Sequence, residues 1–559
     1  MYLSRIEIEN FLGIRTARID LNETTLLIGE NNSGKSAILE AICKVLSIQR
    51  NNKPFVIQPH EFHQVKTSGQ FAPAGDIRIA LTFRERQPNE WSGLQSNEMG
   101  LRLPDDRNVI QELTIEVTAS PGEEEVTPNW RIIIPGINTD GLNNDPSVLE
   151  WIRRMNPVFR IRSGIMTSIP DIPESRQENP KETVISTEDF AMRIQRNFEK
   201  LMKGIMPDYH SELQAGYRAA MNYLDEATGL FLPEGYHEQN IIGEILGMQN
   251  PASYKKNRDV RFRHGSAAEM IGMLLFTTAI LQSGTQLADE SSEPVFIFED
   301  PEANLHPMTL ESVRLLIDRI KWQKIITTQS GEFLSGYSMQ HIRRITRRNR
   351  VVTQHFIEQG SLSGQDLRRL SYHIRMRRST AIFARCWLLV EGESEVWLLP
   401  HLARLCGYDL ALEGVVCVEF AQCGIAALIK AARQLGIEWF LLADGDAAGK
   451  VYAEAAKTFA RQNDEDPSDR ILRLKEKDIE HHLFYNGYDN IYYEYADMST
   501  QKGQNLKTRR VIERAVHRNS KPFMAIAVVE AITRDGSPGV PPALKKLIET
   551  CVKLARQSQ

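Results

Sequence analysis

The sequence predicts an α/β protein in two chemistry-bearing parts, a P-loop domain with a helical insertion followed by a parallel-sheet domain. Three observations carry this. The segment Gly29-Glu30-Asn31-Asn32-Ser33-Gly34-Lys35-Ser36 fits G-x-x-x-x-G-K-[ST] and lies between an apolar strand and a helix. Val295-Phe296-Ile297-Phe298-Glu299-Asp300 is an apolar run that ends in two acids. From Cys386 onward, short apolar strands alternate with helical periodicity, the pattern of a doubly wound sheet.

Taken in order, residues 3–8 alternate apolar and polar as a half-buried strand does, and Thr24–Ile28 is a short apolar strand. A helix follows over 35–46, with Ile38, Leu39, Ile42 and Val45 or Leu46 on one face. Strand patterns recur at 77–83, 113–118 and 131–134. Pro170, Pro173 and Pro180 mark a linker over 168–181, and helical periodicity then runs from 188 to 228. An apolar helix at 267–281 and buried strands at 294–298 and 324–328 follow. The second series is strand 386–390, helix 394–405, strand 415–419, helix 424–434, strand 437–443 and helix 449–462. The last 50 residues read as helical.

The chain has 559 residues, long enough for about three or four domains. Its 42% apolar and 25% charged composition excludes a wholly disordered, collagen-like or coiled-coil chain. Arg5 and Glu7 interrupt the apolar run a signal peptide needs, and the longest mostly apolar stretch, 270–281, is too short to span a bilayer. Six scattered cysteines form no C-x-x-C pair, which argues against a disulfide framework or a thiolate zinc site and for a reduced, cytoplasmic setting. The net charge of −5 conceals a local bias: eleven arginines and two carboxylates between His341 and Arg385 leave a surplus of nine. Arg375, Arg377 and Arg378 are the part of this stretch expected to meet DNA phosphates.

The first constellation is a nucleotide site. Gly29, Asn32 and Gly34 let backbone N–H groups turn toward phosphate oxygens. Lys35 reaches the β- and γ-phosphates, and Ser36 ligates the accompanying Mg²⁺. The partner strand ends in Glu299 and Asp300, carboxylates suited to a metal and to an attacking water. The run Phe296 to Pro307, with Pro301-Glu302-Ala303-Asn304-Leu305-His306-Pro307, resembles the Walker B and D-loop segment of ABC-type ATPases, in the branch holding the SMC, recombination and OLD (overcoming lysogenization defect) proteins. The resemblance implies paired heads that complete each other's sites. It gives Glu299 the metal role and Asp300 the water-orienting role, and places the signature segment near Arg263–Ala267, with Ser266 as the matching residue. Gln329 stands where the family usually has a γ-phosphate-contacting His.

The second constellation is a hard-metal site. Glu391 ends one strand, and Asp444 and Asp446, joined by Gly445, end another. Carboxyl ends of parallel strands collect ligands, and converging carboxylates without His or Cys suit Mg²⁺ or Mn²⁺. This is the Toprim pattern, and its surroundings resemble the OLD branch. That resemblance implies a second metal at Glu395, completed by Asp478 and Glu480, and a basic residue, Lys521, against the scissile phosphate. His481 and His482 lack the partners of a zinc site.

Together these imply an OLD-family protein: ATPase head over 1–165 and 261–380, helical and dimerising insertion over 166–260, Toprim nuclease over 381–559. ATP, one Mg²⁺ with it and two Mg²⁺ or Mn²⁺ in the Toprim site are the implied cofactors. DNA and further copies of the chain, as a homodimer or higher homo-oligomer, are the implied partners, in a phage-defence setting; the sequence does not determine whether a helicase or other defence-system partner joins them. The rival reading is a non-cleaving DNA-binding ATPase of repair. A topoisomerase would need a DNA-gate domain, which the roughly 100 residues after Asp446 do not accommodate.

Overall fold

The computed structural model describes residues 1–47, 55–67, 70–88, 90, 110–162, 165–168, 187–205, 211–230, 266–282, 292–303, 305–377, 379–421, 423–498, 507–534 and 536–558. The chain divides into two compact units, one of residues 1–336 and 341–354, the other of 337–340 and 355–559.

The first unit is built on a twelve-stranded sheet. Its strands are β1 (Tyr2–Phe11), β2 (Ile14–Asp20), β3 (Thr24–Ile28), β6 (Ile77–Arg84), β7 (Glu112–Ala119), β8 (Asn129–Ile133), β9 (Val158–Arg162), β10 (Ile165–Ser168), β11 (Val295–Glu299), β12 (Gln323–Thr327), β13 (Ile342–Arg348) and β14 (Val351–His355). A separate hairpin pairs β4 (Gln64–Thr67) with β5 (Gln70–Pro73). The large sheet runs β10-β9-β11-β12-β3-β13-β14-β2-β1-β6-β7-β8. Its middle, β9-β11-β12-β3-β13, is parallel, and β2-β1-β6-β7-β8 is antiparallel. The parallel strands β11 and β12 are buried along their whole length, which is why β11 reads as the apolar run Val295–Phe298 up to its terminal Glu299.

Helix Lys35–Leu46 buries Ile38, Leu39, Ile42, Val45 and Leu46 against the sheet, as its apolar spacing predicts. Helices Thr187–Met202 and Ser211–Leu230 pack with helix Ser266–Gln282 in this unit. The structure adds strands the sequence did not announce, notably β9, β13 and β14. In β13, Arg343 and Arg344 are each 5% exposed, so two of the eleven clustered arginines lie inside the sheet. Arg343 donates to the carbonyls of Asp20 and Ile342.

The second unit carries β15 (Cys386–Val390), β16 (Val415–Glu419), β17 (Glu438–Ala443) and β18 (Ile471–Arg473) in a parallel sheet of order β16-β15-β17-β18. Strand–helix alternation from 386 to 461 follows the sequence reading within two residues at each boundary. Cys386, Leu388 and Val390 pack with Leu398, Leu399 and Leu402 and with Leu547, Ile548 and Cys551 of the last helix. The arginine-bearing helix Gly364–Arg377 packs within this unit, against helix Ile425–Gln434. No described helix is long and apolar enough to cross a membrane.

Candidate functional site

In the first unit, β3 runs directly into the glycine-rich loop, and helix Lys35–Leu46 leaves it. Gly29 has φ 155°, and a Cβ there would stand 2.3 Å from the carbonyl oxygen of Ile345, so only glycine lets the loop pass β13. Asn32 (φ 67°) and Gly34 (φ 105°) take left-handed conformations that curl the loop. Lys35 is buried, and its Nζ donates to the carbonyls of Gly29 (2.7 Å) and Glu30 (2.9 Å). Burial pulls its pKa down, while Asp300 foremost and then Glu30 hold the charge in place. Ser36 is exposed at the start of the helix.

Glu299 and Asp300 end β11, as predicted, but meet different neighbours. Glu299 is 4% exposed and accepts from Arg160 Nε, with Arg162 Nε 3.8 Å away. Asp300 has φ 46°, and its backbone N–H donates to Thr327 of β12 at 3.0 Å. Burial pushes the Asp300 carboxyl up, Glu299 adds to this, and Lys35 and Arg162 oppose it.

Gln329 follows β12 and is held through its backbone. Glu302 Oε1 accepts from Thr328 Oγ1 (2.6 Å), Gln329 N (3.0 Å) and Ser330 N (3.2 Å). Arg160 and Glu302 both escaped the sequence reading. Glu302 stands in the run 301–307 that the family motif covers, and that was the available signal. Arg160 carries no motif. Ser266 opens helix Ser266–Gln282, and residues 263–265 of the expected signature segment lie outside the described residues.

The second unit brings its acids to one end of the sheet. Glu391 follows β15, Asp444 and Asp446 follow β17, and Asp478 and Glu480 follow β18. Gly445 is needed for close approach, since a Cβ would stand 2.0 Å from the carbonyl oxygen of Glu476. This brings the 444–446 turn against the segment leading to Asp478. Asp446 caps helix Ala447–Arg461 by accepting from Gly449 N at 2.8 Å. Asp478 caps the short helix after it by accepting from His481 N at 2.9 Å, and also meets His481 Nδ1 at 2.5 Å. His482 Nδ1 faces Glu476 at 2.6 Å, so both histidines are engaged by acids.

Glu395 and Glu480 are 5% and 4% exposed. Glu480 accepts from Ser394 Oγ at 3.2 Å and pairs with Lys521 Nζ at 3.3 Å. Burial pushes Glu395 up to about 7, with Glu480 and Glu391 adding to it. Burial also pushes Asp444 up to about 8, with Glu395, Glu391, Asp478 and Glu480 adding their repulsion. Burial works against the charge on Lys521, but Glu480, Asp478 and Glu395 raise its pKa above the ordinary value.

Among the described residues, no three Asp, Glu, His or Cys side chains are grouped so as to hold one metal ion. The donor set is nonetheless all oxygen. One oxygen of Glu391 is buried without a hydrogen-bond partner among the described residues, and burial with neighbouring acids pushes the Asp444 carboxyl up; both suit a hard cation. Arg375 and Arg377 lie on helix Gly364–Arg377, and Arg378 lies outside the described residues.

Against known proteins, residues 1–381 match the family described as Protein of unknown function (DUF2813), and residues 382–446 match the Overcoming lysogenization defect protein-like, TOPRIM domain. The chain is an OLD-like member of the DUF2813 family. It is 30% identical to the uncharacterized protein YbjD of Escherichia coli (strain K12), over 100% of this chain and 99% of that one. It is 22% identical to the Old nuclease of Escherichia phage P2, over 79% and 77% of the two chains. It is also 22% identical to the Endonuclease GajA of Bacillus cereus (strain VD045), over 80% and 76%. The TOPRIM match of this OLD-like chain ends at Asp446, so Asp478, Glu480 and Lys521 lie beyond it.

Proposed function

We propose that this chain is a divalent-metal-dependent DNA endonuclease, gated by a head that binds and slowly hydrolyses ATP. The observation that carries the reading is the gathering of Glu391, Asp444, Asp446, Asp478 and Glu480 after the carboxyl ends of three parallel strands, where burial and four neighbouring acids push the Asp444 carboxyl up to about 8. A fold keeps such repulsion where a ligand of opposite charge relieves it. Glu391, Glu395, Asp444, Asp446, Asp478 and Glu480 are the residues that would hold two Mg²⁺ or Mn²⁺ ions. Such a pair supplies an activated water and charge stabilisation at the leaving oxygen. Lys521, paired with Glu480, presents an exposed ammonium suited to a phosphate oxygen.

In the head, the loop around Lys35 cradles the phosphates of ATP, and Ser36 takes part in holding its Mg²⁺. Gln329 offers a neutral amide toward the γ-phosphate, which suits slow turnover and a gate rather than a motor. Two heads of a homodimer would close on nucleotide, and Arg375, Arg377 and Arg378 would contact DNA. The names of the 22%-identical relatives support nuclease chemistry.

The test incubates purified protein with plasmid DNA in Mg²⁺, in Mn²⁺ or in EDTA, each with and without ATP. Nicked or linear product that needs the metal is expected. Intact plasmid under every condition, with DNA bound, would replace this reading by a non-cleaving DNA-binding ATPase.

A further inference from the structure

The two adjacent acids at the end of β11 are not equivalent. β9 lies beside β11 in parallel register, with Ile297 opposite Arg160 and Glu299 opposite Arg162. Positions two apart on a strand share a face, so both arginines point to the face that Glu299 uses. Arg160 bonds one oxygen of Glu299, and Arg162 stands near the other. The far side of the same guanidinium is 2.5 Å from Glu40 Oε2, on the helix that follows the glycine-rich loop. Arg160 is therefore an ion bridge joining two strands to the loop helix. Cys43 beside it has its thiol pushed up to about 12 by burial, so it stays neutral and leaves the bridge undisturbed.

A divalent cation on Glu299 would have to share that carboxylate with a guanidinium, cation against cation. Among the described residues no cation is bonded to Asp300, and Lys35 and Arg162 act on it only through space. Its left-handed backbone turns the residue out of the strand, and Asp tolerates that conformation. Its Oδ1 is buried without a hydrogen-bond partner among the described residues. Of the acids around Lys35, the residue that reaches the phosphates, Asp300 exerts the strongest pull.

We infer that Asp300, not Glu299, supplies the β11 carboxylate for the divalent cation that accompanies the nucleotide, and that Glu299 is a structural acid of the Arg160–Glu40 bridge. This exchanges the roles the family motif implies for the two positions. It rests on the reading of the head as an ATP-binding domain.

The experiment uses the full chain and two readouts: affinity for a non-hydrolysable ATP analogue in Mg²⁺ against EDTA, and the nucleotide-free melting temperature. Asp300→Asn is expected to lose at least about tenfold of the Mg²⁺-dependent gain in affinity while melting no lower than wild type. Glu299→Gln is expected to melt lower by about 5 °C or more, because it leaves Arg160 buried and half-paired. Its Mg²⁺-dependent gain should shift less than about threefold. Glu40→Gln removes only the outer arm of the bridge, so it keeps the test alive should Glu299→Gln fail to fold. It should lower the melting temperature and keep the gain. A Glu299→Gln protein that melts like wild type but loses the gain overturns the exchange, as does an Asp300→Asn protein that keeps it. A Glu40→Gln protein that melts like wild type removes the bridge. Wild-type protein with no Mg²⁺-dependent nucleotide binding would overturn the ATPase reading itself, a result distinct from either.

Discussion

The two units handle buried negative charge in opposite ways. In the first, three buried acids near the loop helix and the neighbouring strands have cations beside them. Glu299 has Arg160, Glu61 has Lys44 at 2.8 Å, and Glu116 has Arg78 and Arg131 at 2.7 and 2.6 Å. In the second, Glu391, Glu395, Asp478 and Glu480 all feel one ammonium, Lys521, and Asp444 feels their repulsion. A balanced site is complete without a ligand and can serve as scaffold. An unbalanced one stores repulsion that an incoming cation releases, which is what a metal-binding catalytic site needs.

The largest effect expected from this contrast is at Asp444. Asp444→Ala should lower metal-dependent plasmid cleavage by about 10³-fold or more, the worth of several kcal/mol of transition-state stabilisation. Nucleotide binding should persist, because Lys35 and its loop belong to the other unit. Removing a repelled acid should also raise the metal-free melting temperature. Wild-type cleavage by the variant would end the assignment of the second site. Next in size, Lys35→Ala should weaken ATP binding roughly 10- to 100-fold, as expected when a hydrogen bond from a charged donor worth about 1.5–3 kcal/mol is removed. Isothermal titration that gives an unchanged affinity would make the loop structural only.

How much of this was legible in the sequence follows from the range of the contacts. Glu299, Asp300, Glu391, Asp444 and Asp446 stood out because each ends an apolar run, and a parallel strand buried on both faces leaves that run in plain sight. Arg160 was invisible. It sits in Val-Phe-Arg-Ile-Arg, a stretch that carries no motif, and its partner Glu299 is 139 residues away. Gly445 was legible only as the residue joining Asp444 to Asp446, whereas the structure shows it holding backbone against backbone. Arg343 and Arg344 were misleading in the other direction. Counting charge along the chain treats every arginine as exposed, and Arg343 instead turns its guanidinium to backbone carbonyls inside the sheet.

A third expected outcome concerns pH. Asp444 titrates near 8 in the folded chain against 3.8 as its ordinary value, so between those limits the folded state binds the proton that the unfolded state has released. Metal-free stability from this group therefore falls as pH rises through that window. A divalent cation must displace the same proton, so its stabilising effect should grow with pH. Melting curves with and without Mg²⁺ at pH 6 and pH 8.5 should show the larger rise at pH 8.5. Equal rises would mean that Asp444 is not coupled to the metal. Smaller again, reversing the charge of Arg375, Arg377 and Arg378 should flatten the salt dependence of duplex binding by about 0.9 for each phosphate no longer neutralised. An unchanged slope would remove these arginines from the DNA surface.

The smallest effect, and the one that sharpens the contrast most, is at Glu302. This acid breaks the first unit's habit: burial pushes its carboxyl up, and hydrogen bonds to one oxygen stand in for a cation. Its other oxygen is buried without a hydrogen-bond partner among the described residues. Glu302→Gln keeps a carbonyl oxygen for the three donors from Thr328, Gln329 and Ser330. The amide nitrogen then takes the place of the oxygen that had no donor to lose. The substitution also removes a charge that burial disfavours. It should leave melting temperature unchanged and ATP turnover within about threefold of wild type. Glu302→Ala strands the Thr328 hydroxyl and the Gln329 N–H, each costing roughly 1 kcal/mol or more when left unmade, while Ser330 N keeps Thr328 Oγ1 at 3.0 Å. That should unseat the segment carrying Gln329 and slow ATP turnover with little change in nucleotide affinity. A Gln variant as impaired as the Ala variant would show that the negative charge itself is required. Glu302 would then belong with the unbalanced acids of the second unit, and the division between the two units would not hold.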